Sequence, residues 1–569
     1  MGAAAGKEAP AETRLAVAEQ AILQWNRCPG ADTGIWDASA ACTNKRLLYA
    51  VDEILDLAES NPFPASSAFA ARLDNAVRLA MSRMMDEFLR LRVWNASSHQ
   101  LRFAVDKLSA VGASANALWL ATFGGDGGSI SSASTVGRSS ASSSPCDVAA
   151  LLDGEFMDEL QLLSPASLLV LHEIALRVVR AGYTKELVQK FTNSPCDVLD
   201  RFLSIFQVEC SRQTTEIVIK RWSLATKLVG KALIVMQRQL DAQNSPGAFD
   251  ALKGEYFLAI TKNRILNLLK FADDFTRITS HEKLVYILGM YEALSEAAPG
   301  LLLMFTGPHK EIVSERSQEI LGKLATSIKA MVSSLVAKVR DDVLSYIQIN
   351  SVAACGGGFG VHPLTRNAMA CVERLAPHHE TLDLILASGG GGDVSSLSDL
   401  ASRIVGSLDR FLLLINEKSV VVAASSSWHL FVANNAEFVL QRCRPLPLGD
   451  EWAARREGVV ALHVAGYAEA CWAPVVASLK TTGSRKPAKV VAGFSASFDK
   501  VYESQVRCEV PDPVLRDALR KAVSDMVVPA YGVYLKNQPK LEKNVRYTSA
   551  ELAQRISELF EGEAAVRNR

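Results

Sequence analysis

The stretch "PDPVLRDALRKAVSDMVVPAY", residues 511–531, sets the fold class. Leu515, Leu519, Val523 and Met526 recur every three or four positions, the spacing that gathers apolar side chains on one face of an α-helix. Asp512 followed by Pro513 is a start signal: the carboxylate can accept from an early helix N–H, and proline suits the first turn, where no donor is needed. Pro529 is expected to kink or end this helix, since it cannot donate to the ladder and its ring crowds the preceding turn.

The same grammar runs outward in both directions. "SHEKLVYILGMYEALSEAAPG" (280–300) aligns Leu284, Ile287, Leu288, Tyr291 and Leu294, with Ser280 placed to cap and Pro299-Gly300 to stop it. Near the C-terminus Thr548 and Glu551 form a capping box ahead of Leu552, Ile556, Leu559 and Phe560, with Gly562 as the stop. Leu73, Val77, Met81, Met84, Phe88 and Leu91 make a further stripe, and Leu335, Val339, Val343, Tyr346 and Ile347 another. Only "SVVVAASSS" (419–427) is a short β-branched run. The chain therefore reads as all-α. Many amphipathic helices joined by short turns bury their stripes either in compact bundles or in stacked helix pairs, and with no fixed repeat period the expectation is an elongated rod of stacked, irregular helical bundles.

Composition narrows the function. Of 569 residues, 49% are hydrophobic, and 61 Lys and Arg balance 61 Asp and Glu, so no global basic field marks a nucleic-acid binder. Ten Cys occur without a CxxC pair or zinc spacing to His, which suits reduced thiols and no metal site. The opening "MGAAAGKEAPAE" lacks a signal-peptide core, and no uninterrupted apolar run reaches membrane-spanning length; the expected location is cytoplasmic. Gly6 stands where a myristoylation pattern wants Ser or Thr.

"CGGGFGVHPLTR" (355–366) poses the question of a phosphate loop. No Lys follows the last Gly, and Val361 occupies the sixth position where a dinucleotide fingerprint needs Gly. The run also follows a helical stripe, not a strand. It reads as a helix stop and a joint near 351–363, with a new helix starting at Pro363. "GGDGGSISSASTVGRSSASSSP" at 124–145 is too poor in apolar residues to bury a core and reads as a linker. The expected organisation is an N-terminal helical region at 1–123, a Gly/Ser linker at 124–147 and a helical body at 148–562. His379 and Asp383 stand one turn apart, but two ligands without a third make a poor metal site. No Ser or Cys lies in a nucleophile elbow.

Several phrases, in order, carry a family resemblance: "RAGYTKELVQKF" (180–191), "KRWSLATKLVGKAL" (220–233), "EKLVYILGMYEALSE" (282–296), "GGGFGVHPLTR" (356–366), "LFVANNAEFVLQRCR" (430–444), "FSASFDKVYESQVRCEVPDPVLRDALRKAV" (494–523), "VPAYGVYL" (528–535) and "VRYTSAELAQRISELFEG" (545–562). Together they resemble the 70-kDa subunit of the exocyst, the complex that tethers secretory vesicles to the plasma membrane, in its plant branch. "YAVDEILDLAES" (49–60) and "AMSRMMDEFLRLR" (80–92) extend the resemblance, although the long N-terminal coiled coil usual in that family looks shortened.

The resemblance implies a non-enzymatic protein without cofactors that works peripherally at the plasma membrane. Its implied partners are other exocyst subunits and phosphatidylinositol 4,5-bisphosphate, with small GTPases a further class. A diverged plant paralogue acting in immunity outside the complex is the alternative. It implies a structural role for Gly356, Gly357, Gly358, His362 and Pro363. It also implies a lipid-binding surface at the C-terminal end, where this chain has Lys536, Lys540, Lys543 and Arg546 against one acid, Glu542, thinner than the family's usual run. Each basic residue near an anionic leaflet contributes about 1 kcal/mol, so four support weak, salt-sensitive adsorption. Lys480, Arg485, Lys486 and Lys489 form a second basic cluster in an expected loop.

Overall fold

Apolar stripes at helical spacing become helices whose buried faces meet one another, and that is what the computed structural model of the chain contains. It describes residues 10–25, 41–60, 67–95, 160–207, 215–243, 247–303, 308–349, 360–388, 394–419, 425–446, 448–480, 486–538 and 545–562. The expected linker at 124–147 and the glycines at 356–358 lie outside these. The described residues are all-α: the β pairing among them is confined to isolated bridges such as Glu509 with Glu561.

The helices are α1 (Ala11–Trp25), α2 (Ala41–Glu59), α3 (Ala68–Arg90), α4 (Pro165–Arg180), α5 (Thr184–Phe191), α6 (Asp197–Gln207), α7 (Thr215–Asp241), α8 (Lys253–Phe275), α9 (Leu284–Leu303) and α10 (Pro308–Ile349). They continue with α11 (Pro363–Leu375), α12 (His379–Ala387), α13 (Leu397–Ser419), α14 (Ser425–Cys443), α15 (Asp450–Ala477), α16 (Pro487–Gln505), α17 (Pro513–Lys536) and α18 (Ser549–Ser557). The chain divides into two units: residues 1–278 with 286–327, and residues 279–285 with 328–569.

In the first unit the core is aromatic. Phe88 of α3 lies 5.5 Å from Phe191 of α5, which lies 5.3 Å edge-on from Tyr256 of α8, and Tyr256 meets Phe249 at 5.6 Å. Rings in such tilted and edge-on contacts add to the energy of their burial. Of the stripe read on α3, Leu73, Met81, Met84 and Phe88 are buried, with Ala76 and Ala80 completing the face. Gln239 of α7 ties down the segment ahead of α4: its carbonyl accepts from Leu162 and Leu163 N–H at 2.9 and 3.1 Å, and its amide donates to Leu160 O at 2.6 Å. Helices α7 and α9 cross at small residues. A Cβ built on Gly230 falls 2.9 Å from Ala297 Cβ, and one on Gly300 falls 2.9 Å from the Gly230 carbonyl oxygen.

The second unit is built around α17. Leu515, Leu519, Val523, Val527, Tyr531 and Leu535 are buried along it, stacked against Tyr467 and Trp472 of α15, Phe494 and Phe498 of α16, and Leu552 and Ile556 of α18. Phe494 and Tyr531 stack at 4.7 Å. Asp512 caps α17 by accepting from Leu515 N at 2.7 Å, and the Thr548–Glu551 capping box starts α18, both as the sequence indicates.

Expectations about helix ends are corrected at Pro299-Gly300, at Ser280 and at the last helix, and of the two outcomes expected at Pro529 the helix does not end there. Pro299-Gly300 does not stop α9, and α17 runs on past Pro529; each continues for at least one more turn, and α15 likewise runs three residues beyond Pro474. All three prolines are exposed. On a water-facing side the carbonyl that loses its helical donor can be solvated, while the buried face keeps its packing. Ser280 precedes a short 3₁₀ turn, and its side chain makes no capping hydrogen bond. Helix α18 stops at Ser557, so Leu559 and Phe560 are buried beyond its end: Phe560 adopts φ 69°, Gly562 φ 86°, and Val510 N donates to the Phe560 carbonyl at 3.2 Å. Two helices, α10 and α15, contain segments long and apolar enough to cross a membrane by length and mean hydropathy. Helix α15 opens on charged Asp450, Glu451, Arg455, Arg456 and Glu457 and buries Tyr467, Ala468 and Trp472 in the core.

The joint before α11 is a packed capping site. His362 is the N-cap: its ring Nδ1 accepts from Leu364 N at 3.1 Å, while its backbone N–H donates to the Asn435 side chain at 2.9 Å. Asn435, 1% exposed on α14, in turn donates to Phe431 O at 2.8 Å. The imidazole stands 4.7 Å from both Tyr346 and Phe411. Pro363 occupies the first turn. This is the structural role the resemblance implies for His362 and Pro363.

Two predictions follow from packing and capping. Gly230→Ala is expected to cost about 1–3 kcal/mol, because Ala297 has backbone as well as side chain in the way. Gly322→Ala on α10, with nothing within 4 Å, gains about 0.5–1 kcal/mol. Urea unfolding in which both variants shift alike contradicts the close crossing.

The second concerns pH. Burial, reinforced by the charge of Arg366, lowers the His362 pKa to about 4. The folded state therefore binds the proton less well than the unfolded chain, whose imidazole titrates near 6.5, and the cap's contribution is intact above that pH and lost as pH falls toward 4. His362→Asn, which keeps a capping side chain, should be less stable than wild type at pH 7.5 and approach it by pH 4.5. A pH-independent difference in urea midpoint contradicts this assignment.

Candidate functional site

The C-terminal end of the second unit carries the basic positions singled out from the sequence, and α17 and α18 place them. Lys536 is exposed in the last turn of α17, where a cation also complements the helix dipole. Lys540 and Lys543 lie outside the described residues. Arg546 stands at a bend in the segment leading into the α18 cap, its side chain 64% exposed.

That segment is pinned from below. Tyr531 of α17 donates its hydroxyl to the Tyr547 carbonyl at 2.9 Å, and Tyr547 donates its own to Asp499 of α16 at 2.7 Å. Burial, with the hydrogen bond to Asp499, raises the Tyr547 pKa and keeps it a donor. Asp499 also holds Arg546, Nη2 to Oδ2 at 2.9 Å, so this cation has a countercharge that its neighbours in sequence do not supply. The Arg546 guanidinium lies 5.4 Å from the Tyr547 ring, and that of Arg555 lies 5.0 Å from it and 5.1 Å from Tyr502. Such contacts fix the direction of a cation while leaving its charge at the surface.

Other cations of this region serve the fold. Arg520 donates to the Leu559 carbonyl at 2.6 and 3.0 Å, and Arg516 to the Val510 carbonyl at 3.0 Å, and both pair with Glu561, fastening the turn after α18. In the second cluster, Lys480, Lys486 and Lys489 are exposed at the end of one helix and the beginning of the next, and Arg485 lies outside the described residues. Lys486 is the N-cap residue of α16 and Lys489 sits in its first turn, which is helical and not the loop expected for the whole cluster.

His379 and Asp383 serve the backbone. Asp383 accepts from Leu397 N at 2.6 Å at the start of α13, and His379 Nδ1 lies 3.2 Å from the Ala376 carbonyl. Among the described residues no group of three or more metal-ligating side chains converges. Among the described residues the surface offers one exposed lysine, Lys536, and an arginine, Arg546, held over Tyr547 and paired with Asp499.

Comparison with known proteins gives the family of the chain. The family model for the C-terminal region of the Exo70 exocyst complex subunit matches residues 220–558. The exocyst complex component EXO70A1 of Arabidopsis thaliana is 27% identical over 447 residues, covering 71% of this chain and 68% of that protein. EXO70B2 of the same plant is 25% identical over 416 residues, covering 68% of each. The crystal structure of the Saccharomyces cerevisiae exocyst component Exo70p aligns over 97% of this chain and 100% of its own with a TM-score of 0.53; at 11% identity the likeness is one of fold.

Proposed function

We propose a function from one premise: the chain belongs to the Exo70 family of exocyst complex subunits, in its plant type. It acts as a non-catalytic tethering subunit that joins other exocyst components and meets the plasma membrane from the cytoplasmic side. The membrane contact is the C-terminal basic surface, through Lys536, Lys540, Lys543 and Arg546, with phosphatidylinositol 4,5-bisphosphate as its anionic partner. The observation that carries this reading is the exposed Lys536 at the end of α17 together with the exposed Arg546, whose segment is held by the Tyr531–Tyr547–Asp499 network.

The contributions of the four cations differ. A lysine near an anionic leaflet contributes about 1 kcal/mol, whereas Arg546 has Asp499 as a competing partner and contributes less. The thinness of the basic run and this internal countercharge also favour a second reading, a paralogue working as an interaction protein outside the complex, immunity being one setting.

Sedimentation with liposomes containing phosphatidylinositol 4,5-bisphosphate, at low and at physiological salt, tests the membrane contact. Wild type should bind at low salt and weaken as salt rises. Replacing Lys536, Lys540 and Lys543 together by Glu should abolish binding, and Arg546→Glu alone should weaken it by a smaller factor. Wild type that fails to bind at low salt, or a triple variant that binds equally well, contradicts the assignment of this surface.

A further inference from the structure

A cavity of about 560 Å³ opens among α13, α14 and α15 of the second unit, well away in sequence from the basic surface. Its size falls in the range of pockets that hold small organic ligands, and its walls have their character, mostly apolar with a few polar groups. Trp428 of α14 and Trp452 of α15 supply aromatic wall, and Leu413 and Leu462, 62% and 67% exposed, stand at its edge. Gly406 of α13 also lines it, and a Cβ built there meets nothing within 4 Å, so the space begins at the helix backbone.

The wall is rigid where it is polar. Arg456 donates from Nη1 and Nη2 to the two oxygens of Asp409 at 2.7 and 2.8 Å, bracing α15 against α13. Its guanidinium, 9% exposed, lies 5.7 Å from the Trp452 ring. That cation is matched by its own carboxylate. His463 lies 3.0 Å from His429, ring nitrogen to ring nitrogen, and is neutral at pH 7, its pKa lowered to about 4 by burial and by His429. The remaining charged group in the lining is Arg455, whose side chain is 75% exposed and pairs with Glu451, itself 91% exposed, at 3.2 Å. An exposed pair of this kind exchanges readily with a competing anion. The lining thus has a net positive charge beside an apolar hollow.

We propose that this cavity binds a small amphipathic monoanion, an aromatic or branched apolar body bearing one carboxylate or sulfonate, with the body against the tryptophan walls and the anion on Arg455. The two parts of the ligand answer the two parts of the site. The body removes exposed apolar surface from water, and the acid replaces Glu451 as the partner of a guanidinium, whose fork suits two-oxygen acids.

The test uses the full-length chain and two dyes of similar body: 8-anilinonaphthalene-1-sulfonate, which is anionic, and N-phenyl-1-naphthylamine, which is neutral. Wild type should show saturable fluorescence enhancement with the sulfonate, displaced by naphthalene-2-carboxylate. Gly406→Phe fills the cavity from a helix position where phenylalanine is a better helix former than glycine, and should weaken both dyes about tenfold or more with thermal stability equal to or above wild type. Arg455→Ala, at an exposed position, should weaken the sulfonate about fivefold, the effect of one partly exposed charge-assisted hydrogen bond, and leave the neutral dye unchanged. The proposal is overturned if wild type binds no sulfonate saturably, if folded Gly406→Phe binds like wild type, or if Arg455→Ala leaves the sulfonate unchanged or weakens both dyes equally. Should Gly406→Phe fail to fold, the two dyes on Arg455→Ala decide alone.

Discussion

An amphipathic helix cannot leave its apolar stripe in water, and in this chain nearly every described segment carries such a stripe. Each helix must therefore lie against others, and the remaining features are conditions for that contact. Glycine stands at Gly230 and Gly300 because α7 and α9 approach until a methyl group would collide with Ala297 or the opposing backbone. Proline is tolerated inside α9, α15 and α17 because each faces outward. Along α17 the stripe ends on Tyr531 and Leu535, and the Tyr531 hydroxyl carries the order of the core outward to the segment holding Arg546.

What could be read from the sequence was what depends on neighbours a few residues away. Stripe spacing gave the all-α class, and the caps at Asp512 and Thr548 stand where the local chemistry puts them. The glycine run was separable from a phosphate loop by the residues that follow it. What could not be read depends on which face a residue turns to its surroundings. Pro299 and Pro529 look like stops in one dimension and are harmless on a solvated face. Leu559 and Phe560 keep the helical spacing, yet α18 ends at Ser557 before they are reached, and Phe560 turns left-handed.

The candidate site divides in the same way. Lys536 and Arg546 were legible as cations from their positions, but the carboxylate that holds Arg546 comes from Asp499, 47 residues earlier and inside the stripe-bearing phrase "FSASFDK". Asn435, which docks the backbone of His362, is likewise one of the buried polar residues in the largely apolar "LFVANNAEFVLQ". A signal existed in each case: a polar residue at a core position of a helix must find a partner, and the partner is the far segment the fold brings to it. The hollow among α13, α14 and α15 left no trace of that kind, since Gly406 and Leu413 are unremarkable until the three helices are assembled.

These features suit a protein that works by holding positions. The Thr548 cap and the buried Tyr531 and Tyr547 fix the segment that carries Arg546 against the core. The most direct measurement of that account is co-purification from plant cells with the full-length chain tagged at native expression. Membership of a working tether predicts that other exocyst subunits are recovered with it in a stable complex. Their consistent absence, with the tagged chain folded and abundant, would contradict it and leave an interaction protein of Exo70 fold acting apart from the complex.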